Sequence, residues 1–205
     1  MPSLNITRHD NYQSYYHVYA RGINKQRLFL DEQDFGYFVS LFPRYLSSEV
    51  SRNKFGKPYA NFQNQVELLA YCLMGNHFHM FVYQEKQGAL TFLMRSIMVS
   101  YSRYFNLKYK RTGPLFESRY KAAIILNDVH LMHITRYIHL NPRYWRRYPY
   151  SSLQYYIHSD LQPDWIVTSR ILELFKDADD YLQFSADYQD HRDHLQSLKA
   201  QLADR

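Results

Sequence analysis

A β-hairpin near the middle of the chain constrains the fold more than any other sequence feature. Residues 65–74 and 77–84 are two runs of mainly apolar and aromatic residues, and Gly75-Asn76 between them is typical of a tight hairpin turn. The second run begins with two histidines that flank Phe78. Because successive side chains of a strand point to opposite faces, we expect His77 and His79 to share one face of a sheet.

The segments around the hairpin complete the order strand, helix, strand, strand, helix, strand. Residues 14–21 predict the first strand and residues 115–126 the fourth, while apolar residues at helical spacing predict helices after Asp31 and over residues 89–110. Pro43 predicts a kink in the first helix, or two shorter helices. This order predicts an α+β ferredoxin-like fold, with helices packed on one face of an antiparallel sheet.

The rest of the chain is predicted to be helical. Residues 164–205 predict at least two helices, an amphipathic one around residues 171–175 and a polar one from about Asp190. We therefore expect a principal domain over residues 1–156 and a helical extension over residues 157–205.

Composition limits the possible partners and the cellular compartment. The 205 residues are 46% hydrophobic and 21% charged, which is ordinary for a globular protein. A net charge of +6 and a pI of about 9.2 favour a nucleic acid or an anionic membrane surface as partner. The single cysteine, Cys72, excludes an internal disulfide and stands in an apolar run that predicts a buried thiol. No stretch approaches the length of a membrane span, and we expect a cytoplasmic protein.

A third helix brings further candidates for a site. It is predicted to begin at Asn127 or Asp128 and to end near Asn141-Pro142. Tyr137 and Asn141 are four residues apart and would lie on one helical face. Two imidazoles and an amide oxygen can bind a divalent cation. The alternatives are that the two histidines lie on a solvated face, that Tyr137 packs in the core, and that Asn141 only ends the helix.

Three ordered motifs of this chain resemble those of the single-tyrosine HUH transposases, and most of all the REP-associated and IS200-like branches. They are Gly75-Asn76-His77-Phe78-His79, then Arg103-Tyr104-Phe105-Asn106 with residues 111–121, and finally Tyr137-Ile138-His139-Leu140-Asn141-Pro142. The resemblance extends from about Tyr15 to Tyr156.

The resemblance implies a role for each candidate. His77, His79 and Asn141 would bind Mg²⁺ or Mn²⁺, and Tyr137 would be the nucleophile. The family has a ferredoxin-like fold and cuts and joins single-stranded DNA near hairpins, through a 5′-phosphotyrosine intermediate that leaves a free 3′-hydroxyl. The chemistry is consistent with these roles, because a phenol with a pKa near 10 needs an activated phosphate to react at neutral pH.

Basic residues around the second helix and fourth strand, and a basic aromatic segment after the third helix, are candidates for binding nucleic acid. Lys and Arg contact phosphates, and aromatic rings stack on bases. The candidates are Arg103, Lys108, Lys110, Arg111, Arg119, Lys121, Arg143, Trp145, Arg146 and Arg147. For any one of them a solvated basic surface is the alternative. Family members often carry a small apolar residue, Arg and Gly after the Asn-Pro, so DNA contacts are expected to differ here.

These observations predict a metal-dependent endonuclease and strand transferase, with hairpin-containing single-stranded DNA as partner. One alternative is a module of the same fold that binds DNA or RNA hairpins without cutting them. Another is a hydrolase that uses water in place of Tyr137. The presence of His77, His79 and Tyr137 together favours cleavage. A monomer is favoured over a homodimer.

Overall fold

A four-stranded antiparallel sheet lies at the centre of the protein, of which the computed structural model describes residues 11–187. The strands are β1 (Ser14–Arg21), β2 (Val66–Met74), β3 (His77–Gln84) and β4 (Lys121–Ile125), and their order across the sheet is β2-β3-β1-β4. Met74 pairs with His77, so the predicted two-residue turn joins β2 to β3. The element order and the antiparallel sheet confirm the predicted α+β fold.

Within residues 11–187, six α-helices cover the two faces of the sheet. They are α1 (Glu32–Leu46), α2 (Ala89–Lys108), α3 (Asp128–His139), α4 (Leu153–Ile157), α5 (Ser169–Leu172) and α6 (Ala178–Ala186). Helix α3 begins at Asn127, whose side chain accepts a hydrogen bond from the backbone N–H of His130. No helix in residues 11–187 combines the length and the apolar character that crossing a bilayer requires.

The first hydrophobic core lies between the sheet and the pair α1 and α2. Alternate residues of the strands point into it, which follows from the two-residue period of a strand. It contains Val18, Phe38, Phe42, Phe78, Met80, Val82, Leu93, Ile97 and Tyr101 among others, all of them fully buried. This core therefore uses the face of β3 that does not carry the histidines.

The second hydrophobic core lies on the opposite face, between the sheet and the helices α3 to α6. It contains Phe81, Ile134, Tyr137, Ile138, Leu153, Tyr156, Ile171 and Tyr181 among others. Cys72 is fully buried there, and burial raises the pKa of its thiol, in agreement with a structural rather than a nucleophilic cysteine. Residues on both sides of position 156, the predicted end of the principal domain, contribute side chains to this core.

Two residues that flank Tyr137 along α3 attach this helix to its neighbours. The Arg136 guanidinium donates to the backbone carbonyl of Phe184 on α6 and lies 4.3 Å from the centre of the Phe184 ring. The His139 ring hydrogen-bonds to the Tyr181 hydroxyl at one nitrogen and to the Ser152 hydroxyl at the other. Because both side chains are fully buried, α3 has a fixed orientation on the sheet.

Two predicted elements differ from the structure. Helix α1 is a single helix that continues through Pro43 to Leu46, and it is not divided in two. Pro43 lies in the last turn, where its missing N–H removes a single hydrogen bond. The fourth strand begins only at Lys121, and residues 117–119 are exposed. The predicted helix from about Asp190 lies outside the described residues.

Candidate active site

Strand β3 places two imidazoles side by side on the face that α3 covers. The ring centres of His77 and His79 are 4.9 Å apart, and the ring planes are nearly perpendicular, at 85°. His79 is buried and His77 is half-buried. Since Phe78 points into the first core, both histidines face the second core, which also contains Tyr137.

The register of the sheet adds a lysine to this face. His79 pairs with Tyr19 on β1, and Tyr19 pairs in turn with Lys121 on β4. The Tyr19 ring centre is 5.9 Å from that of His79, and the Lys121 ammonium group is 5.4 Å from the centre of the Tyr19 ring. A cation from the predicted DNA-binding set therefore contacts Tyr19, the residue that separates it from His79 across the sheet.

Helix α3 brings the candidate nucleophile to the same place. The ring of Tyr137 lies edge-on to the ring of His79, with 5.3 Å between their centres, and 6.0 Å from the ring of His17 on β1. Ile134 and Ile138 on the same helix are fully buried in the second core and hold α3 against the sheet. Two residues that are 58 positions apart in sequence are thus adjacent within one chain.

Hydrogen bonds engage the same nitrogen of both histidines. Nδ1 of His79 is 2.9 Å from Nε2 of His17, and Nδ1 of His77 is 2.7 Å from Oδ1 of Asn76. The amide nitrogen of Asn76 lies 3.3 Å from the backbone carbonyl of Lys25, to which it donates. In both rings Nδ1 is therefore engaged, and a metal ion would be bound through Nε2.

The donor set suits a divalent cation. Within residues 11–187, no cluster of three or more His, Cys, Asp and Glu side chains has an arrangement for binding a metal. The candidate set is different, because it combines two imidazoles with the amide oxygen of Asn141. Asn141 is half-buried and follows Tyr137 by one helical turn, immediately after the end of α3. The two adjacent rings, each engaged at Nδ1, fit a metal ligand pair.

Four of the other predicted DNA-binding residues, Arg103, Lys110, Arg111 and Arg119, lie on the far side of the sheet. They line an open groove of about 1560 Å³ along α2, which packs on the first core. Its basic lining residues are Arg44, Arg95, Arg103, Lys110, Arg111 and Arg119. No Asp or Glu is among the described residues that line this groove. The predicted set is therefore divided between two surfaces.

Lys108 differs from its neighbours on α2. Its ammonium group lies 2.7 Å from a carboxylate oxygen of Asp31 and 2.8 Å from one of Asp34. Asp34 is fully buried and also accepts hydrogen bonds from the hydroxyls of Tyr104 and Tyr109. These contacts join the N-terminus of α1 to the C-terminus of α2, which favours a structural role for Lys108.

The basic aromatic segment after α3 lies on the same side as the histidines. Trp145 begins a short 3₁₀ turn, Trp145–Arg147, and packs against the second core. The Arg146 guanidinium lies 4.5 Å from the centre of the Trp145 ring, and that of Arg143 lies 5.5 Å from the centre of the Tyr144 ring. Arg143, Arg146 and Arg147 are exposed.

The sequence alone does not identify three residues of this site, which are His17, Tyr19 and Asn76. The alternation in β1 places His17 and Tyr19 on one face, but only the register of β1 against β3 puts them next to His79. Asn76 is explained by the hairpin turn alone, and its contact with His77 depends on a loop 51 residues earlier in the chain. The signal for His17 was a histidine within an otherwise aromatic and aliphatic strand.

The segment that contains these histidines and Tyr137 is similar to a known protein family. Residues 52–141 match the family model described as "Transposase IS200 like". This segment contains His77, His79 and Tyr137 and ends at Asn141. This segment, a little under half of the chain, is thus similar to the IS200-like transposases.

A solved structure supports the same fold. The chain is similar to a REP-associated tyrosine transposase bound to a REP hairpin, with 16% sequence identity and a TM-score of 0.53. The match covers 77% of this chain and 87% of that protein. A comparison with curated proteins gave no match.

Proposed function

We propose that this protein is a metal-dependent endonuclease and strand transferase, in which Tyr137 attacks single-stranded DNA near a hairpin. The observation that carries the proposal is the distance of 5.3 Å between the ring centres of Tyr137 and His79 within one chain. The family match over residues 52–141 supports a DNA-processing activity, since the three candidate residues fall within that segment.

His77, His79 and Asn141 would hold Mg²⁺ or Mn²⁺ at this site. A bound divalent cation polarises the scissile phosphate and compensates the charge that develops on its oxygens. The protein supplies two neutral imidazoles, and Asn141 supplies an oxygen that suits a hard cation. Asn141 is proposed because it follows Tyr137 by one turn and is half-buried at the end of α3.

The reaction breaks and forms one ester bond. The Tyr137 hydroxyl oxygen attacks the phosphorus atom and loses its proton, while the bond from phosphorus to the 3′-oxygen breaks and that oxygen takes up a proton. The products are a 5′-phosphotyrosine and a free 3′-hydroxyl. Because the phosphotyrosine ester keeps the energy of the bond, attack by another 3′-hydroxyl joins strands without a nucleotide cofactor. Lys121, which contacts the Tyr19 ring next to His79, would contact a phosphate of the bound DNA.

The two basic surfaces would bind different parts of the DNA. On the side of the histidines, phosphate and base contacts would come from Lys121, Arg143, Trp145, Arg146 and Arg147. On the other side, the groove along α2 would contact phosphates through Arg103, Lys110, Arg111 and Arg119. A hairpin is proposed as the substrate because the similar structure is that of a transposase bound to a REP hairpin. Residues 1–156 would form the transposase domain and residues 157–205 its helical extension.

The test is the formation of a covalent protein–DNA adduct. Labelled hairpin DNA with a single-stranded flank is incubated with the protein and Mn²⁺, and the adduct is detected after denaturation. We expect an adduct with the wild type and none with Tyr137→Phe or His79→Ala. Tyr144→Phe is the matched control, because Tyr144 is an exposed tyrosine seven residues away. Its adduct yield should equal that of the wild type.

Two other outcomes would replace the proposal. Hairpin binding without any adduct would indicate a module that binds and does not cut. Cleavage that persists in Tyr137→Phe would indicate a hydrolase that uses water. Because Tyr137 and His79 meet within one chain, a monomer is proposed to be sufficient. A mixture of the Tyr137→Phe and His79→Ala variants should therefore form no adduct, whereas recovery of the adduct would indicate a site shared between two chains.

A further inference from the structure

A third histidine, His17, lies directly behind His79. It comes from β1, is 1% exposed, and its ring is nearly parallel to that of His79, with 5.1 Å between centres and 15° between planes. Its Nε2 is 2.9 Å from Nδ1 of His79. In the register of β1 against β3, His17 lies opposite Phe81, and Tyr19 lies opposite His79. His17 therefore contacts His79 diagonally across the two strands.

The hydrogen bond between the two rings links their protonation states. One of the two nitrogens must donate and the other must accept. A metal ion needs a lone pair on the nitrogen that binds it. If His79 is to present Nε2 to a metal, its proton must be on Nδ1, from which it is donated to Nε2 of His17. His17 is then neutral and carries its own proton on Nδ1.

The contact at His77 requires the same protonation state. The amide of Asn76 is oriented by Lys25, because its nitrogen donates to the Lys25 carbonyl and its oxygen is thus turned towards His77. An amide oxygen only accepts, so Nδ1 of His77 carries the proton and Nε2 has the lone pair. The turn itself is fixed, since the Gly22 backbone N–H donates to the Asn76 carbonyl at 2.9 Å.

We infer that His17 is a positioning residue, which holds His79 in the Nδ1-protonated form and fixes its ring so that Nε2 faces the metal, and that Asn76 does the same for His77. The inference rests on the proposed metal site. Outer partners of this kind orient the ligand and make it a better base. The competing explanation is that His17 only fills space between Tyr19 and Tyr137.

Substitution of His17 separates the two explanations. His17→Phe keeps a ring of similar size but provides no acceptor, whereas His17→Gln places an amide oxygen close to the position of Nε2. Binding of Mn²⁺ is measured by calorimetry in the absence of DNA. We expect His17→Phe to bind Mn²⁺ about 10- to 100-fold more weakly than the wild type, and His17→Gln to recover most of the affinity. A space-filling role predicts the opposite order.

A spectroscopic measurement needs no substitution. Long-range ¹H–¹⁵N correlation spectra of the metal-free wild type report which ring nitrogen carries the proton. We expect protonated Nδ1 and unprotonated Nε2 in His77 and His79, and a loss of this preference for His79 in His17→Phe. Protonation of His79 at Nε2 in the wild type would overturn the inference, even if His17→Phe did not fold.

His79→Ala distinguishes this inference from the proposed function. If His79→Ala binds Mn²⁺ as tightly as the wild type, there is no metal site at these residues and both proposals fail. If His79→Ala loses Mn²⁺ but His17→Phe retains the wild-type affinity, only the role of His17 is wrong.

Discussion

Two buried histidines of this chain, His79 and His139, have different partners and, in consequence, different roles. His139 is fully buried, and its two nitrogens hydrogen-bond to the hydroxyls of Tyr181 at 2.5 Å and Ser152 at 2.8 Å. His79 is equally buried, but its Nδ1 contacts another imidazole and its ring lies beside Tyr137. Residue type and burial alone do not separate the two.

The kind of partner that each ring has distinguishes the two histidines. Because both nitrogens of His139 are used by hydroxyl groups, none is left for a metal, and the ring connects α3 to α6 and to the start of α4. The contact between His79 and His17 uses Nδ1 and directs Nε2 to the candidate site. His139 should therefore contribute to stability, and His79 to chemistry.

The largest effect that tests this comparison is the loss of stability in His139→Ala. The substitution leaves a cavity and two buried hydroxyl groups without their imidazole partner, and we expect a cost of about 3 kcal/mol in the free energy of unfolding. Urea denaturation followed by circular dichroism measures this cost. Mn²⁺ affinity of the folded variant should match that of the wild type.

The matched control for this substitution is His158→Ala, because His158 is exposed. It should change stability by less than about 0.5 kcal/mol. Equal stability of His139→Ala and His158→Ala would show that the network of His139, Tyr181 and Ser152 does not hold α3.

A smaller effect is the pH dependence that His139 imposes on stability. Burial lowers the pKa of His139 from 6.5 to about 3, because the cation is poorly solvated inside the core. Between these values the unfolded chain binds more protons than the folded one, so stability is complete above pH 6.5 and is lost as the pH falls. The expected loss approaches about 1.4 kcal/mol per pH unit below pH 6.5.

His139→Gln isolates this contribution, because glutamine does not titrate. Urea midpoints of the wild type and the variant are compared at pH 6.5 and pH 4.5, a range above the usual pKa of carboxyl groups. The wild type should lose more stability than the variant on acidification. Parallel losses in both proteins would show that His139 is protonated while the protein is folded.

The sequence predicts the order of strands and helices along the chain, because the hydrophobic period of each segment identifies it as a strand or a helix. It also predicts the proximity of Tyr137 to His79, because the resemblance to a family adds long-range information that spacing lacks. The division of α1 into two helices at Pro43 and the start of β4 are wrong predictions, since a proline signals a break without saying how near the helix end lies. The extent of β4 depends on its pairing with β1.

The partners of individual side chains were beyond prediction. Arg103 and Lys121 look alike in sequence, but one lines the groove along α2 and the other lies on the face of the histidines. His17 and Asn76 reach the histidines through register and through a distant loop. Such contacts are set by tertiary packing, which a local pattern does not encode.

Lys108 and Lys110 also differ in their partners, as His79 and His139 do. A test of this difference, by the salt dependence of hairpin binding, has the smallest expected effect. Lys108 is held by Asp31 and Asp34, whereas Lys110 lines the basic groove. If the groove binds DNA phosphates, Lys110→Ala should weaken hairpin binding and lower the slope of log K against log salt by up to about 0.9. Fluorescence anisotropy with a labelled hairpin, titrated at several salt concentrations, measures this slope.

Lys108→Ala provides the control, since it removes the same charge two residues away, at the end of α2. Its slope should equal that of the wild type, while its urea midpoint should fall, because the buried carboxylate of Asp34 loses its cation. Equal slopes for Lys110→Ala and the wild type would exclude Lys110 from the DNA interface. A reduced slope in Lys108→Ala would show that Lys108 leaves Asp31 and Asp34 to contact DNA. The salt bridges of the DNA-free protein would then not predict whether a lysine binds DNA.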